Sequence, residues 1–138
     1  LNMKFLTPML LLFTLFACQN QSGDPALASS PYPMGLHQSG SVSIQVHRSE
    51  EFIEIVNSTA IDYGSGTLWI NQRFSTQLEP MPAGKTVKVN LWSLRDEYGE
   101  QFNAGGAWRT DEPTPVVIAE LQGSDTTSLV GLIVIGQE

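Results

Sequence analysis

Lys85-Thr86-Val87-Lys88-Val89-Asn90-Leu91-Trp92 alternates without a break. Val87, Val89 and Leu91 fall on one side, and Lys88, Asn90 and Trp92 on the other. That is the two-residue period of a strand that buries one face. Upstream, Val42, Ile44 and Val46 alternate with Ser41, Ser43, Gln45 and His47 in the same way, and Phe52-Ile53-Glu54-Ile55-Val56 makes a second such run. Arg48-Ser49-Glu50-Glu51 lies between them as a polar turn.

Thr67-Leu68-Trp69-Ile70 predicts a third strand and Arg73-Phe74-Ser75-Thr76 a fourth. Asn71-Gln72 between them has the length of a tight hairpin turn, and Asn tolerates the positive φ that such a turn requires. Pro80, Pro82 and Gly84 end the pair. Runs from Val116 to Leu121 and from Leu129 to Ile135 close the chain, with Gly123-Ser124-Asp125 as the turn. No long stretch carries a helical period. The expected fold is all-β: a single antiparallel β-sandwich of about seven short strands, two sheets face to face. A small barrel is the competing closure of the same strands. This pattern over residues 41–138 resembles immunoglobulin-like or transthyretin-like sandwiches. The cysteine pair of antibody domains is missing, so the resemblance implies architecture alone.

The first residues have another character. Met3-Lys4 is followed by a nearly unbroken apolar run to Ala17. The run is shorter than the roughly 20 residues that cross a bilayer, and a charged start before a short apolar core is the form of a secretory signal. Leu15-Phe16-Ala17-Cys18 resembles the lipobox of bacterial lipoproteins, with Leu15 at the apolar position and Ala17 at the cut. Phe16 stands where that family usually has a small residue. The resemblance implies that the signal, residues 1–17, is removed and that Cys18 carries lipid, as the only cysteine in the chain. Gln19 rather than Asp after the cysteine implies the outer membrane, where the host has one.

Residues 18–40 are then expected to be the lipidated cysteine and a flexible tether, rich in Gly, Pro, Ser and Gln. A coil of that length spans roughly 25 Å r.m.s., which would let the domain float clear of the membrane. Seven Lys and Arg against fourteen Asp and Glu give a net charge of −7. An acidic surface repels phosphate backbones, so nucleic acid is not an expected partner. With Cys18 capped no thiol is left for a disulfide, and the core alone must hold the domain.

The longest irregular stretch, residues 93–115, is where function is expected to sit. It carries Arg95, Asp96, Glu97, Tyr98, Glu100, Phe102, Trp108, Arg109, Asp111 and Glu112. One reading makes it a binding loop with Tyr98 and Trp108 as contact rings. The other makes it a crossover that drops Tyr98, Phe102 and Trp108 onto the core while Arg95 pairs a carboxylate. Strict alternation places Trp69 and Trp92 on polar faces, where two rings would form a platform for a sugar or a protein. Against this, Trp69 has the buried tryptophan of a sandwich as its alternative, the alternation being shifted by a bulge.

Enzyme chemistry has little support. His47 is the single histidine in the domain, without a spaced partner for a nucleophilic set or a zinc site. Asp96 and Asp111 are the weak candidates for a metal, and the spacing of the acids matches no calcium loop. No cofactor is expected. The sequence points to a membrane-anchored, non-enzymatic binding or accessory module for an envelope protein or a glycan. A structural subunit docking through an exposed strand edge is the second reading, and a calcium-binding or hydrolytic acidic loop the remote third.

Overall fold

The alternating runs become strands. The computed structural model describes residues 23–36, 38–124 and 128–136. The signal-like stretch, Cys18 and His37 lie outside the described residues. The strands are β1 (Gln38–Ser49), β2 (Phe52–Asn57), β3 (Gly66–Ile70), β4 (Phe74–Leu78), β5 (Thr86–Asn90), β6 (Ala119–Gly123) and β7 (Leu129–Ile135). Two short 3₁₀ turns, Pro25–Leu27 and Leu91–Ser93, are the helical pieces among the described residues. No described helix is long and apolar enough to cross a membrane.

The all-β, seven-strand expectation holds. The strands form one continuous sheet in the order β4-β3-β6-β7-β1-β2-β5. All its pairings are antiparallel except that of β1 with β7, which is parallel. The parallel pair joins the start of the domain to its end, and alternation within either strand carries no sign of it.

The two layers are the two halves of this sheet, curled around one core. Every strand sends side chains inward: Val46 from β1, Ile55 from β2, Leu68 from β3, Phe74 from β4, Val89 from β5, Leu121 from β6 and Leu132 from β7. A flat sheet would hold its edges β4 and β5 far apart. Here Ser75 of β4 exchanges two backbone hydrogen bonds with Arg95, a few residues past β5, at 2.8 and 3.2 Å. The curl is thereby closed at one end.

The β3–β4 hairpin turns at Asn71 and Gln72, which take φ of 53° and 56°. That left-handed pair matches the twist of the flanking strands. Arg73 N–H reaches the Ile70 carbonyl, and the ladder closes at Ile70–Phe74, so Arg73 is an extra residue in the loop. Asn71 has a second task. Its side-chain oxygen accepts from the Val117 and Ile118 N–H groups, and its amide donates to the Pro115 carbonyl at 2.7 Å. The approach to β6 is thus fixed to the hairpin.

The outer face of the sheet is covered where β3, β6 and β7 adjoin. Trp69, Glu120 and Gly131 are direct neighbours across β3, β6 and β7, and Trp69 and Glu120 are each only 2 % exposed. Residues 23–36 lie over them. Tyr32 meets the Trp69 ring edge-on at 5.4 Å, and its hydroxyl donates to Glu120 Oε2 at 2.8 Å. Ser29 N–H donates to the Asp96 carbonyl and Ser29 Oγ to the Arg95 carbonyl, both at 2.9 Å. Gly23 presses on the turn at Gly99, where either Cβ would collide with backbone.

Of the tether expected over residues 18–40, the part at residues 23–36 is instead held against the domain by these contacts, while residues 18–22 lie outside the described residues. Residues 23–36 form a strap laid on the sheet, and β1 already begins at Gln38. The apolar and hydrogen-bonding partners of the strap come from distant parts of the chain, so its polar composition alone suggested a coil.

Candidate functional site

The β5 strand ends at Asn90, whose side chain accepts the Trp92 N–H at 2.9 Å and starts the 3₁₀ turn. Leu94 then enters the core, and the chain reaches Asp96, which organises the rest of the loop. Asp96 has no exposed surface. Its Oδ1 accepts from the N–H groups of Tyr98 and Glu100 at 2.9 and 2.8 Å. Its Oδ2 accepts from Arg73 Nε and Nη2 at 3.0 and 2.8 Å, and Arg73 also pairs with Glu100. Burial opposes ionisation of Asp96. The Arg73 guanidinium and the two N–H donors outweigh it and hold the carboxyl below the usual range.

Beyond the Asp96 turn, Phe102 is fully buried and meets Phe74 edge-to-face at 5.2 Å. Residues 105–113 then project. Their base is closed by Thr114 N–H to the Asn103 carbonyl at 2.9 Å and by Asn103 Nδ2 to the Glu112 carbonyl at 2.9 Å. The Arg48 guanidinium, from the end of β1, binds the carbonyls of Ala104 and Thr114 on either side of this projection. Burial lowers the pKa of Arg48 from its ordinary value.

A cleft of about 280 Å³ lies between the strap and the loop. Its walls include Asp24, Trp92, Arg95, Glu100, Arg109 and Asp111. The Arg109 guanidinium stacks on the Trp92 ring at 4.4 Å. Arg95 Nη1 donates to the Trp92 and Leu94 carbonyls at 3.0 and 3.2 Å. The cleft therefore offers an indole ring, two guanidinium groups and carboxylates in one concave place, which suits a polar ligand carrying a flat or ring-shaped face.

The structure sorts the residues that the sequence singled out. Trp92, Arg95 and Asp111 come together in the cleft. Trp108 is 98 % and Tyr98 68 % exposed, so neither plugs the core, and only Phe102 does what the crossover reading expected of three rings. Arg95 pairs backbone carbonyls rather than a carboxylate, because Arg73 already holds Asp96 and Glu100. The two-ring platform does not form. Trp69 keeps the outward parity of an unbulged strand, and the strap buries it, with Nε1 donating to Gln122 at 2.8 Å. Trp92 sits past the strand, in the 3₁₀ turn, under Arg109.

Asp96 is not available as a metal ligand, since both its oxygens are committed to the turn and to Arg73. Among the described residues no group of three or more His, Cys, Asp or Glu is placed to hold a metal ion. His47 lies on the outer face, with Nε2 3.3 Å from Gln45 Oε1. Arg73, Arg48 and Tyr32 were missed as organising residues. Their partners lie far along the chain or are carbonyls, which no spacing signal marks.

No protein-family profile matches the chain, and no characterised protein or solved structure is similar to it.

Proposed function

We propose that this chain is an exported lipoprotein, anchored through lipid on Cys18, whose domain is a non-enzymatic binding or accessory module for a glycan or an envelope protein. The outer membrane is its expected site where the host has one. The observation that carries the binding role is the cleft in which Arg109 stacks on Trp92 beside Arg95 and Asp111. Sugars are held by such ring faces with polar groups around the rim. Glycan-array binding that is lost in both Trp92→Ala and Arg109→Ala, with the fold intact, supports this reading. A protein that retains glycans in neither form, and captures no envelope protein through the cleft, refutes it.

We propose further that the architecture is immunoglobulin-like. A first strand shared between the halves of the sheet, running parallel to the last strand, supports it. The fully buried tryptophan of those domains has no counterpart in this core, since Trp69 points outward.

Docking through a strand edge is favoured by a separate observation. The free edges of β4 and β5 border a slot of about 280 Å³, lined by Gln77, Leu78, Val87 and Lys88. Ser75 of β4 turns its backbone groups toward Arg95 and away from β3, so the alternation aims those of Gln77 the same way, into the slot. An extended peptide added there would meet unpaired backbone groups. Proline at position 77 or 88 would abolish such docking and leave glycan binding unchanged.

A further inference from the structure

We infer that the exposed rings of Tyr98 and Trp108 form a membrane-contact tip, held at the lipid headgroups by a short tether; this rests on the lipid-anchor reading of Cys18. The described chain begins at Gly23. Gly23 is wedged against the turn Tyr98-Gly99-Glu100, with no room for a side chain on either Gly23 or Gly99. Asp24 and Leu27 continue along the same end of the molecule and share the cleft walls with Arg109 and Asp111. The chain that leads back to Cys18 therefore leaves the domain beside residues 98–100 and 109–111.

Five peptide links separate Cys18 from Gly23. At roughly 3.6 Å per residue even a fully extended chain covers at most about 18 Å. The strap consumes the length that a free coil over residues 18–40 would have supplied. A lipidated Cys18 sits at the headgroups, so the end of the domain bearing Gly23 cannot move far from them. What that end exposes is Tyr98 and Trp108, the latter 98 % open to solvent, together with Leu27 at 52 %. Trp and Tyr are the residues that settle at the membrane–water boundary, where the ring is half desolvated and its polar atom stays wet.

Charge sets the depth and the lipid. Glu97, Asp111 and Glu112 outnumber Arg109 around the two rings, and all four are exposed. The acids keep the tip at headgroup level and disfavour anionic bilayers. The fitting surface is zwitterionic, with phosphatidylethanolamine or phosphatidylcholine headgroups.

The test uses the lipidated protein in vesicles of phosphatidylcholine and phosphatidylethanolamine carrying a spin label at a shallow or a deep acyl position. Flotation with the vesicles, and the mass of Cys18, test the anchor. Quenching of tryptophan emission tests the tip: Trp69 is buried, and Trp108→Ser separates the share of Trp108 from that of the half-buried Trp92 under Arg109. The shallow label is expected to quench and the deep one not. The quenching is lost in Trp108→Ser, which still floats, and falls when a long Gly-Ser spacer is inserted before Gly23. Flotation without shallow quenching overturns the tip while leaving the anchor standing. An unmodified Cys18 on a protein that does not float overturns both.

Discussion

The Tyr32 hydroxyl donates to Glu120 Oε2 at 2.8 Å, although the two residues are 88 positions apart in the chain. This bond fastens the strap to the outer face of β6. Burial, with the bond and charge of Glu120, raises the Tyr32 pKa to about 12. Tyr32→Phe leaves the buried Glu120 without its donor and is expected to destabilise the domain by about 2 kcal/mol. Urea denaturation measures this. A raised folded-state pKa means that the contribution is whole below the unfolded value near 10 and is lost as pH rises from there through about 12. The alkaline limb of the stability profile should flatten in Tyr32→Phe.

Arg73 and Asp96 make the opposite linkage. The Asp96 carboxyl is held below its ordinary value. Its contribution is therefore complete above about pH 4 and is lost as pH falls through the folded-state value. Arg73→Ala strips the buried carboxyl of its cation and should cost about 3 kcal/mol. Thermal melts from pH 7 down to pH 3 should show a shallower acid loss in Asp96→Asn than in the parent chain. Equal slopes would mean that Asp96 does not titrate differently on folding.

Gly99 has φ of 79°, and a Cβ there would strike the Asp24 carbonyl. Gly99→Ala is expected to lift the strap without destroying the core, whose residues lie on the other face. Amide exchange over residues 24–34 should rise, and Trp69 should become reachable by acrylamide. If exchange rises across the strands equally, the strap and the core are one cooperative unit.

In the parent chain the tryptophans should quench in a fixed order. Trp108 is fully accessible, Trp92 is half-buried and Trp69 is closed off. Trp108→Phe should remove most of the acrylamide-sensitive emission. Trp69→Phe should leave the sensitive part unchanged.

Asn71 separates conformation from bonding. Asn71→Gly keeps the left-handed turn but drops the links to Pro115, Val117 and Ile118, whereas Asn71→Ala loses both. The alanine variant should be the less stable of the two by about 1 kcal/mol. Chemical denaturation of the pair gives the difference directly.

Much of the fold was legible because each strand announces itself locally. Val87 and Val89, Ile53 and Ile55, and Leu68 and Ile70 all fall on the face that the alternation chose. The Asn71-Gln72 turn was legible for the same reason. What alternation cannot encode is which strands meet, so the parallel β1–β7 pairing was hidden. The site was half legible. Arg95 and Asp111 were marked by their place in a long loop, and Trp92 by its parity at the end of a strand. The residues that shape them are Arg73 from the hairpin, Arg48 from β1 and Tyr32 from the strap. Each acts across dozens of positions. Trp69 shows how parity alone misleads: its outward direction was right, but the cover came from a segment with no strand or helix period.

The parallel pairing of β1 with β7 also sets an order of events. The middle of the sheet is built from the first and last strands of the domain. The β3–β4 hairpin and the β1–β2 pair can form early, because their partners are close in sequence. In the sheet ladder they are joined only when residues 129–135 pair between them. Closing so long a loop is slow compared with local pairing. A chain lacking β7 thus has two unpaired inner edges, on β6 and β1, and the arrival of β7 is the step that joins the sheet.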